Sequence, residues 1–237
     1  MKERVLFIIP AYNEENAIVK TVENIRSYNP DWDVIVINDG STDQTEYLCK
    51  KNKIPVISLI MNLGIGGAVQ TGYKYAMEQD YDIAIQFDGD GQHNIAYVDE
   101  LIAPILKHEQ DFVIGSRFIS GDRKGFISSP LRRLGIRVIS ITIRLLTGKR
   151  IYDPTSGFRA ANKAVIHYFA NEYPIEFPEP ESVTLLFKQK YRVKEIPVIM
   201  YERQGGKSSI HSWKSAYYMI NVLFSLIIVS LRKFDKK

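Results

Sequence analysis

Residues 83–93 read IAIQFDGDGQH, in which a short apolar run is followed by two aspartates set among glycines. A run of this length with a turn signal behind it predicts a buried β-strand. Asp88 and Asp90 stand two positions apart, so on an extended segment their side chains point the same way. The stretch therefore predicts a strand that ends in two converging carboxylates.

Four more runs of this kind occur in the first half of the chain, and segments with helical spacing separate them. Strands are predicted at VLFIIP (5–10), VIVIN (34–38), VISLI (56–60) and FVIG (112–115), and helices at 14–28, 43–52, 66–79 and 95–108. This alternation predicts an α/β fold of the Rossmann-like kind, with a mostly parallel sheet and helices on both faces. Ligands of such sheets bind at the carboxyl ends of the strands.

The pattern changes after Arg117. Residues 130–147 begin with a proline and mix arginines with a wide apolar stripe, which predicts a helix. Further helices are predicted at 162–171 and 180–190, a late strand at 193–200, and an uncharged helical run at 215–231. We therefore expect one α/β domain over residues 1–210 and a membrane-associating C-terminal helix over 211–237.

Charge and cysteine content limit the partners and the compartment. The net charge of +4 combines an acidic part up to Ser116, with 9 Lys and Arg against 18 Asp and Glu, and a basic remainder with 22 against 9. A basic half suits nucleic acid, an anionic membrane surface or a phosphorylated substrate, although scattered surface charge would give the same count. The single cysteine, Cys49, excludes an intrachain disulfide and favours the cytoplasm.

The two aspartates predict a metal site. Neighbouring carboxylates repel each other unless a cation lies between them. A hard ion such as Mg²⁺ or Mn²⁺ removes this repulsion, and it commonly takes a diphosphate as its remaining ligands. A glycine-rich turn with two surface aspartates is the alternative interpretation of the same residues.

Polar residues also follow the other predicted strands, at 10–14, 38–43 and 62–67. Each has a simpler explanation as a helix cap or a tight turn, but together they predict a polar rim at one edge of the sheet. The glycines at 64–67 could form a phosphate cradle or allow close helix–strand packing. They match neither a Walker motif nor a dinucleotide fingerprint, because Val69 stands where the third glycine is needed.

The motifs PAYNE, NDGSTD, NLGIGGAVQTG, DGDGQH, GSRF and DPTSGFRA occur in this order between residues 10 and 160, and the match that they belong to covers roughly residues 4–210. This combination resembles family 2 of the inverting glycosyltransferases, which have the GT-A fold. Within that family it is most similar to the polyprenol-phosphate glycosyltransferases, the subgroup that includes dolichol-phosphate mannose synthase.

The resemblance implies a role for many of these residues. Asp39 would read the nucleotide base, and Asp90 would be the residue whose loss is most damaging. The residues implicated in nucleotide binding are Pro10, Ala11, Tyr12, Glu14, Asp39, Asn62, Gly67 and Asp88, and those in metal binding are Asp88, Asp90 and Gln92. The acceptor phosphate would be held by Arg117, Arg132, Arg133, Arg203 and Lys207, and the catalytic group would comprise Asp90, Arg117 and Arg203. A solvated basic helix face is the alternative for Arg132 and Arg133.

The mechanism implied by the resemblance needs no catalytic base. The Gln-x-x-Arg-Trp motif of the family's polysaccharide synthases is absent from the sequence. A phosphate acceptor is already an anion, whereas a hydroxyl acceptor requires removal of a proton. Glu176, Glu179 and Glu181 leave three alternatives open: contact with sugar hydroxyls, a base for a hydroxyl acceptor, or an acidic cluster at a helix N-terminus.

The expected partners are a nucleotide sugar, polyprenyl phosphate and an anionic membrane surface at the cytoplasmic face of the cell membrane. The run 215–231 has 17 uncharged residues, at the short end for a spanning helix, and a core helix is the alternative. We expect 130–147 to lie on lipid as an amphipathic helix, and a small membrane protein or a second copy are further candidate partners. The acidic rim argues against nucleic acid.

The expected reaction transfers a sugar from UDP-N-acetylglucosamine or UDP-glucose to polyprenyl phosphate. Asp39 suits recognition of uracil, which favours a UDP-sugar. The alternatives are transfer to a hydroxyl of a glycan or glycolipid, and a non-catalytic sugar-nucleotide-binding scaffold at the membrane. A scaffold would have no need of the Asp88–Asp90 pair.

Overall fold

A seven-stranded sheet lies at the centre of the described part of the chain, which in this computed structural model comprises residues 3–119, 129–201 and 212–232. The strands are β1 Val5–Ala11, β2 Asp33–Asn38, β3 Val56–Ser58, β4 Ile83–Gln86, β5 Phe112–Ser116, β6 Arg159–Asn162 and β7 Val193–Pro197. The helices are α1 Ile18–Tyr28, α2 Thr45–Lys51, α3 Gly64–Glu78, α4 Val98–Leu106, α5 Pro130–Thr147, α6 Lys163–Glu172, α7 Pro178–Lys188 and α8 Ser212–Leu231, and a 3-10 turn spans Ile95–Tyr97.

The strand order is β3-β2-β1-β4-β6-β5-β7. All strands run in one direction except β6, which pairs antiparallel with both β4 and β5. The predicted mostly parallel α/β sheet is confirmed, but β6 was not predicted, because its sequence RAAN lacks β-branched residues. Since β6 begins at the edge where the other strands end, the segment before it joins that same edge.

Helices cover both faces of the sheet, and the alternation of side chains along β1 explains why. Leu6 and Ile8 belong to one apolar core, which includes residues of α3, α5, α6, α7 and α8. Phe7 and Ile9 belong to the other, formed with α1, α2 and α4. Every residue of β1 is buried, as expected of a central strand that is covered on both sides.

Glycines in α3 allow that helix to approach the sheet closely. A Cβ on Gly72 would collide with the side chain of Ile8, and one on Gly66 would collide with the backbone of Ile175. Gly67 lies inside the helix, where a Cβ would be 2.6 Å from Leu63 Cβ. The glycine cluster therefore serves packing, and only Gly64 and the residues beside it reach the edge of the sheet.

Several predicted boundaries differ from the observed ones by a few residues, among them those of the first helix, the third strand and the late strand, which was predicted at 193–200 and ends at Pro197. The first helix begins at Ile18 instead of residue 14, because residues 13–15 bind the loop that follows β2. The third strand ends at Ser58, and Ile60, which was predicted to be in it, is fully exposed.

The C-terminal helix α8 packs against α5 and α7. Val222 and Leu226 are fully buried in the core, and Ser225 donates a hydrogen bond to the Glu181 carboxylate of α7. One side of α8 is therefore part of the domain core. Within the described residues, no helix is both long enough and apolar enough to cross a bilayer.

Candidate active site

A cleft of about 570 Å³ opens at the carboxyl edge of the sheet. It lies at the ends of β1, β2 and β4, beside the first turn of α3 and the loop that precedes β6. The predicted residues that line it are Pro10, Ala11, Tyr12, Glu14, Asp39, Asn62, Asp88 and Asp90. The lining also contains Gly64, Ile65, Ala68, Gly89, Thr155, Gly157 and Glu179. Its volume suits a ligand of nucleotide-sugar size.

The loops after β1 and β2 are bound to each other on one side of the cleft. Asn13 has a left-handed backbone, with φ of 56°, and its side-chain oxygen accepts a hydrogen bond of 2.8 Å from the Thr42 N–H. The Glu14 N–H donates to Thr45 Oγ1 at 2.9 Å. Several motif residues therefore hold the two loops together, while Tyr12, 48% exposed, remains at the surface of the cleft.

Asp39 connects β2 to the start of α3. The residue is 3% exposed, and its Oδ1 accepts a hydrogen bond of 2.7 Å from the Leu63 N–H. Burial raises the pKa of Asp39, and the backbone N–H groups of Leu63 and Gly64 act in the opposite direction. Asn62 Oδ1 accepts from the Gly64 N–H at 3.0 Å, so both residues shape this wall. Base recognition by Asp39 stays a prediction.

Asp88 is held by His93, a residue to which the sequence assigned no role. The Asp88 N–H donates to His93 Nδ1 at 3.1 Å, and His93 Nε2 lies 3.3 Å from Asp88 Oδ2. Burial lowers the pKa of His93 to about 4, so the ring is neutral near pH 7 and carries its proton on Nε2. It stacks on Phe158 at 5.0 Å between ring centroids, which fixes its orientation.

The Asp88 carboxylate also packs directly against Gly157. A Cβ at position 157 would lie 2.8 Å from Asp88 Oδ2 and 2.9 Å from Oδ1. No side chain larger than hydrogen fits there unless the carboxylate moves. The glycine of the DPTSG segment therefore sets the position of a cleft carboxylate that is distant in sequence.

Asp90 is 6% exposed, and its Oδ1 accepts a hydrogen bond of 2.9 Å from the Gln92 N–H. Gln92 itself does not line the cleft. Its side-chain Nε2 donates to the Tyr201 carbonyl at 3.3 Å, and the Tyr201 N–H donates to the Gln92 carbonyl at 2.9 Å. Gln92 thus joins the metal-motif loop to the segment after β7, and its role as a metal ligand stays a prediction.

The pair of cleft aspartates fits a hard divalent ion. Both side chains offer carboxylate oxygens, which are the ligands that Mg²⁺ and Mn²⁺ prefer. Among the described residues, no group of three or more His, Cys, Asp or Glu side chains could hold a metal. An ion at Asp88 and Asp90 would therefore depend on phosphate oxygens and water for the rest of its coordination.

Arg117 is bound to Asp153, and its contact with an acceptor phosphate stays a prediction. Its Nε and Nη2 each lie 2.7 Å from an Asp153 carboxylate oxygen, and Nη2 also donates to Thr155 Oγ1 at 3.1 Å. Glu195 of β7 accepts hydrogen bonds of 2.7 Å from the N–H groups of Tyr152 and Asp153. These contacts fix the loop that carries Thr155 and Gly157 to the cleft.

Arg159, the first residue of β6, is completely buried. It donates to the carbonyls of Ser156 at 2.5 Å, Pro154 at 2.9 Å and Glu179 at 3.0 Å, and to Ser182 Oγ at 2.7 Å. It therefore joins the loop before β6 to the first turn of α7. No role was predicted for Arg159. An arginine next to two alanines in an apolar segment could have indicated it, because a buried arginine needs hydrogen-bond partners.

The three glutamates at the start of α7, of which Glu176 precedes the helix and Glu179 and Glu181 lie in its first turn, separate into different environments. Glu179 lines the cleft, and burial raises its pKa. Glu181 points away, toward Ser225 of α8, and Glu176 is exposed. The cluster is therefore not one site, and only Glu179 is placed to meet a ligand in the cleft.

The remaining predicted site residues lie outside the cleft lining. Gly67 is within α3, and the cleft is lined by Gly64 and Ala68 instead. Arg132 and Arg133 lie in the first turn of α5, where the helix begins with Ser129 as its cap. Arg203 and Lys207 lie outside the described residues.

Comparison with known proteins places this fold and site among glycosyltransferases. Residues 6–169 match the model of Glycosyl transferase family 2. A UDP-N-acetylglucosamine–dolichyl-phosphate N-acetylglucosaminyltransferase of Methanococcus voltae is 33% identical over 219 residues, covering 84% of this chain and 86% of that protein. An undecaprenyl-phosphate mannosyltransferase of Micrococcus luteus is 28% identical over 234 residues, covering 92% of each chain.

Among solved structures, a glucosyl-3-phosphoglycerate synthase from Mycobacterium tuberculosis, in complex with Mn²⁺ and UDP-glucose, has the same fold. Its TM-score is 0.73 at 19% identity, and the match covers 98% of this chain and 81% of that one. At this identity the likeness shows the shared fold alone.

Proposed function

The chain belongs to glycosyl transferase family 2, and we propose that it transfers a sugar from a nucleotide sugar to the phosphate of a polyprenyl phosphate. The observation that supports this most is the position of Asp88 and Asp90 in the cleft, between the loops of β1 and β2 and the loop before β6. The enzyme class, a glycosyltransferase, follows from the family. The acceptor is supported by the names of the relatives from Methanococcus voltae and Micrococcus luteus.

The proposed donor is a UDP-sugar, with N-acetylglucosamine or glucose as the sugar. The acidic Asp39 at the nucleotide side of the cleft suits the N–H donor of uracil, and the relative from Methanococcus voltae is named for UDP-N-acetylglucosamine. The name of the relative from Micrococcus luteus specifies mannose, so a GDP-mannose arm belongs in the donor assay.

In the proposed reaction, an oxygen of the acceptor phosphate attacks the anomeric carbon in line with the diphosphate. The new carbon–oxygen bond forms as the bond to the diphosphate breaks, and the anomeric configuration inverts. The acceptor is already an anion, so no side chain has to remove a proton. Asp88 and Asp90 would hold Mg²⁺ or Mn²⁺, which supplies positive charge to the leaving diphosphate when bound.

The surroundings of the cleft position its reacting groups. His93 and Gly157 fix the Asp88 carboxylate, and the Arg117–Asp153 pair fixes the loop that carries Gly157. Arg117 binds that loop, which supports a positioning role for it beside the predicted contact with the acceptor phosphate. Contact between the acceptor phosphate and Arg203 or Lys207 remains part of the proposal.

We further propose that α5 and α8 attach the enzyme to the cytoplasmic face of an anionic membrane. The two helices pack together, and both expose large apolar side chains. These are Leu131, Leu134, Val138, Ile141 and Leu145 on α5, and Ile220, Phe224, Ile227, Ile228 and Leu231 on α8. Exposed cations on or beside α5, among them Arg137, Arg144 and Arg150, suit anionic headgroups.

A hydroxyl acceptor is the second candidate, and the specific observation in its favour is Glu179. A carboxylate in the cleft with a raised pKa could take the proton of an attacking hydroxyl. In that case the product would be a labelled glycan or glycolipid.

The deciding experiment incubates radiolabelled UDP-N-acetylglucosamine, UDP-glucose or GDP-mannose with the enzyme, undecaprenyl phosphate and Mg²⁺ or Mn²⁺. We expect label in the organic phase that mild acid releases, and no such product with Asp90→Asn or after chelation of the metal. A labelled water-soluble glycan, or a lipid product stable to mild acid, would contradict the phosphate acceptor. Near-wild-type turnover of Asp90→Asn would contradict the metal assignment.

A further inference from the structure

We propose that Glu179 binds the donor sugar and sets which sugar the enzyme accepts. The inference rests on the proposed function, because it takes the donor to be a nucleotide sugar. In the proposed transfer to a phosphate acceptor, the Glu179 carboxylate has no other role.

The sheet topology orders the cleft from one end to the other. The lining residues from β1, β2 and α3 lie on one side of β4, and those from the loop before β6 lie on the other. Asp88 and Asp90, at the end of β4, lie between the two groups. A nucleotide on the β1 side with its diphosphate at the aspartates therefore directs its sugar toward Thr155, Gly157 and Glu179.

Glu179 is held at that sugar end by its backbone. Its carbonyl accepts a hydrogen bond of 3.0 Å from Arg159 Nη2, and Arg159 is anchored in turn by the carbonyls of Pro154 and Ser156. The side chain belongs to the first turn of α7, in which Pro178 restricts the backbone. The backbone of Glu179 is therefore held by the same arginine that holds the loop before β6.

The carboxylate has acceptor sites without a protein donor. Within the described residues, its one hydrogen bond comes from the N–H of Glu179 itself. An ionised carboxylate offers about four lone-pair sites. Glu179 is partly buried and lines the cleft, so a ligand that enters the cleft can donate hydrogen bonds to these sites. Sugar hydroxyls and the N–H of an acetamido group are donors of this kind.

Like charge nearby makes a neutral, donating ligand more suitable than an anion. Burial is the main cause that raises the pKa of Glu179; the Arg159 guanidinium acts against it, and the Asp88 carboxylate adds a smaller raising effect. A second phosphate at this position would add to the repulsion, whereas hydroxyl groups would hydrogen-bond to Glu179 without adding charge. The geometry thus favours the sugar over the acceptor phosphate as the partner of Glu179.

The test measures equilibrium binding by calorimetry, in the presence of Mn²⁺ and without an acceptor. The probes are UDP, UDP-glucose and UDP-N-acetylglucosamine, and the variants are Glu179→Ala and Glu179→Gln, with Glu176→Gln as the exposed control. We expect Glu179→Ala to bind UDP within about twofold of wild type and to bind one UDP-sugar about 10- to 100-fold more weakly. Intact UDP binding also shows that the variant is folded.

Single-hydroxyl deletions of the sugar identify the contact. With UDP-glucose analogues that each lack one hydroxyl, wild type should lose affinity for one analogue, and Glu179→Ala should show no additional loss for that analogue. Equal weakening of UDP and UDP-sugar, or no weakening of either, would overturn the proposal. The proposal would also be overturned if Glu179→Ala kept its affinity for the UDP-sugars but lost one limb of the pH–rate profile, since that result would assign Glu179 as a catalytic base.

The two proposals fail in different measurements. The binding test needs no acceptor, so it can succeed even when wild type makes no lipid-linked sugar. Conversely, an acid-labile lipid product from wild type would support the proposed function even when the affinity of Glu179→Ala for every probe equals that of wild type.

Discussion

Substitution of Gly157 by alanine should reduce activity strongly while leaving the fold intact. The backbone at Gly157 is not among the positive-φ glycines, so alanine can adopt its conformation. The three atoms nearest to the added Cβ would all belong to the Asp88 carboxylate, whose two oxygens would lie at 2.8 and 2.9 Å. The perturbation therefore acts on one functional group.

The expected magnitude follows from these distances. The nearest ordinary van der Waals contact of a Cβ is about 3.4 Å, so the carboxylate must move by about 0.6 Å. A misplacement of about 1 Å at a reacting centre can reduce turnover about 100-fold. We expect a decrease in kcat of about 10- to 100-fold, whereas rotating one side chain costs stability only about 0.5–1.5 kcal/mol.

The assay compares kcat, the metal dependence of kcat and the thermal midpoint for wild type and Gly157→Ala. Gly135→Ala, in α5, is the matched control, because its Cβ would meet the flexible Met219 side chain of α8, 3.2 Å from the sulfur, and neither residue lines the cleft. That control should retain activity. Wild-type kcat in Gly157→Ala would refute the reasoning that this glycine positions Asp88, and so would a loss of activity explained entirely by unfolding.

Three other predictions concern Asp88, the core of the loop before β6, and the exposed helices. His93→Phe should keep the aromatic packing but leave the Asp88 N–H unsatisfied, which should lower the free energy of unfolding by about 1–3 kcal/mol. The same variant should have a lower kcat, and thermal unfolding and turnover assays measure the two effects. Arg159→Met should reduce the free energy of unfolding by at least about 3 kcal/mol, measured in urea, because it leaves buried carbonyls without donors. Ile141→Glu together with Phe224→Glu should weaken sedimentation with anionic vesicles by about tenfold or more, without changing the thermal midpoint.

Each of these has a contrary outcome. Full activity in His93→Phe would mean that the histidine does not position the aspartate. Wild-type stability in Arg159→Met would mean that water satisfies the carbonyls. Unchanged vesicle binding by the double glutamate variant would exclude these helix faces as the lipid contact, and a change in oligomeric state instead would indicate that they join two copies of the chain.

Much of the fold was predictable because its signals are local. A central strand of a parallel sheet is buried on both faces, so β1, β2 and β4 each read as an uninterrupted apolar run. The helix α5 matched its predicted range of 130–147, because proline opens it and the left-handed Gly148 closes it. The polar residues behind the strands were predicted to share one edge, and six of them line the cleft: Tyr12, Glu14, Asp39, Asn62, Asp88 and Asp90.

The interior of the site was less predictable, because its contacts join residues that are far apart in the sequence. Arg117 reads as a phosphate ligand from its motif, yet its guanidinium binds Asp153. Gln92 reads as a metal ligand, which stays a prediction, and only the structure shows that its side-chain Nε2 donates to the Tyr201 carbonyl. A motif specifies which residue types are present, but hydrogen-bond partners depend on which loops meet.

The sequence by itself determined the α/β architecture and the Asp88–Asp90 pair at the end of a buried strand, because periodicity and spacing are properties of neighbouring residues. Only the tertiary structure decided that β6 runs antiparallel between β4 and β5. That single reversal brings the loop before Arg159 to the edge of the cleft, where Gly157 fixes Asp88 and Glu179 is held by the buried arginine. The physical reason is that these contacts are set by the pairing of distant strands, which no local pattern encodes.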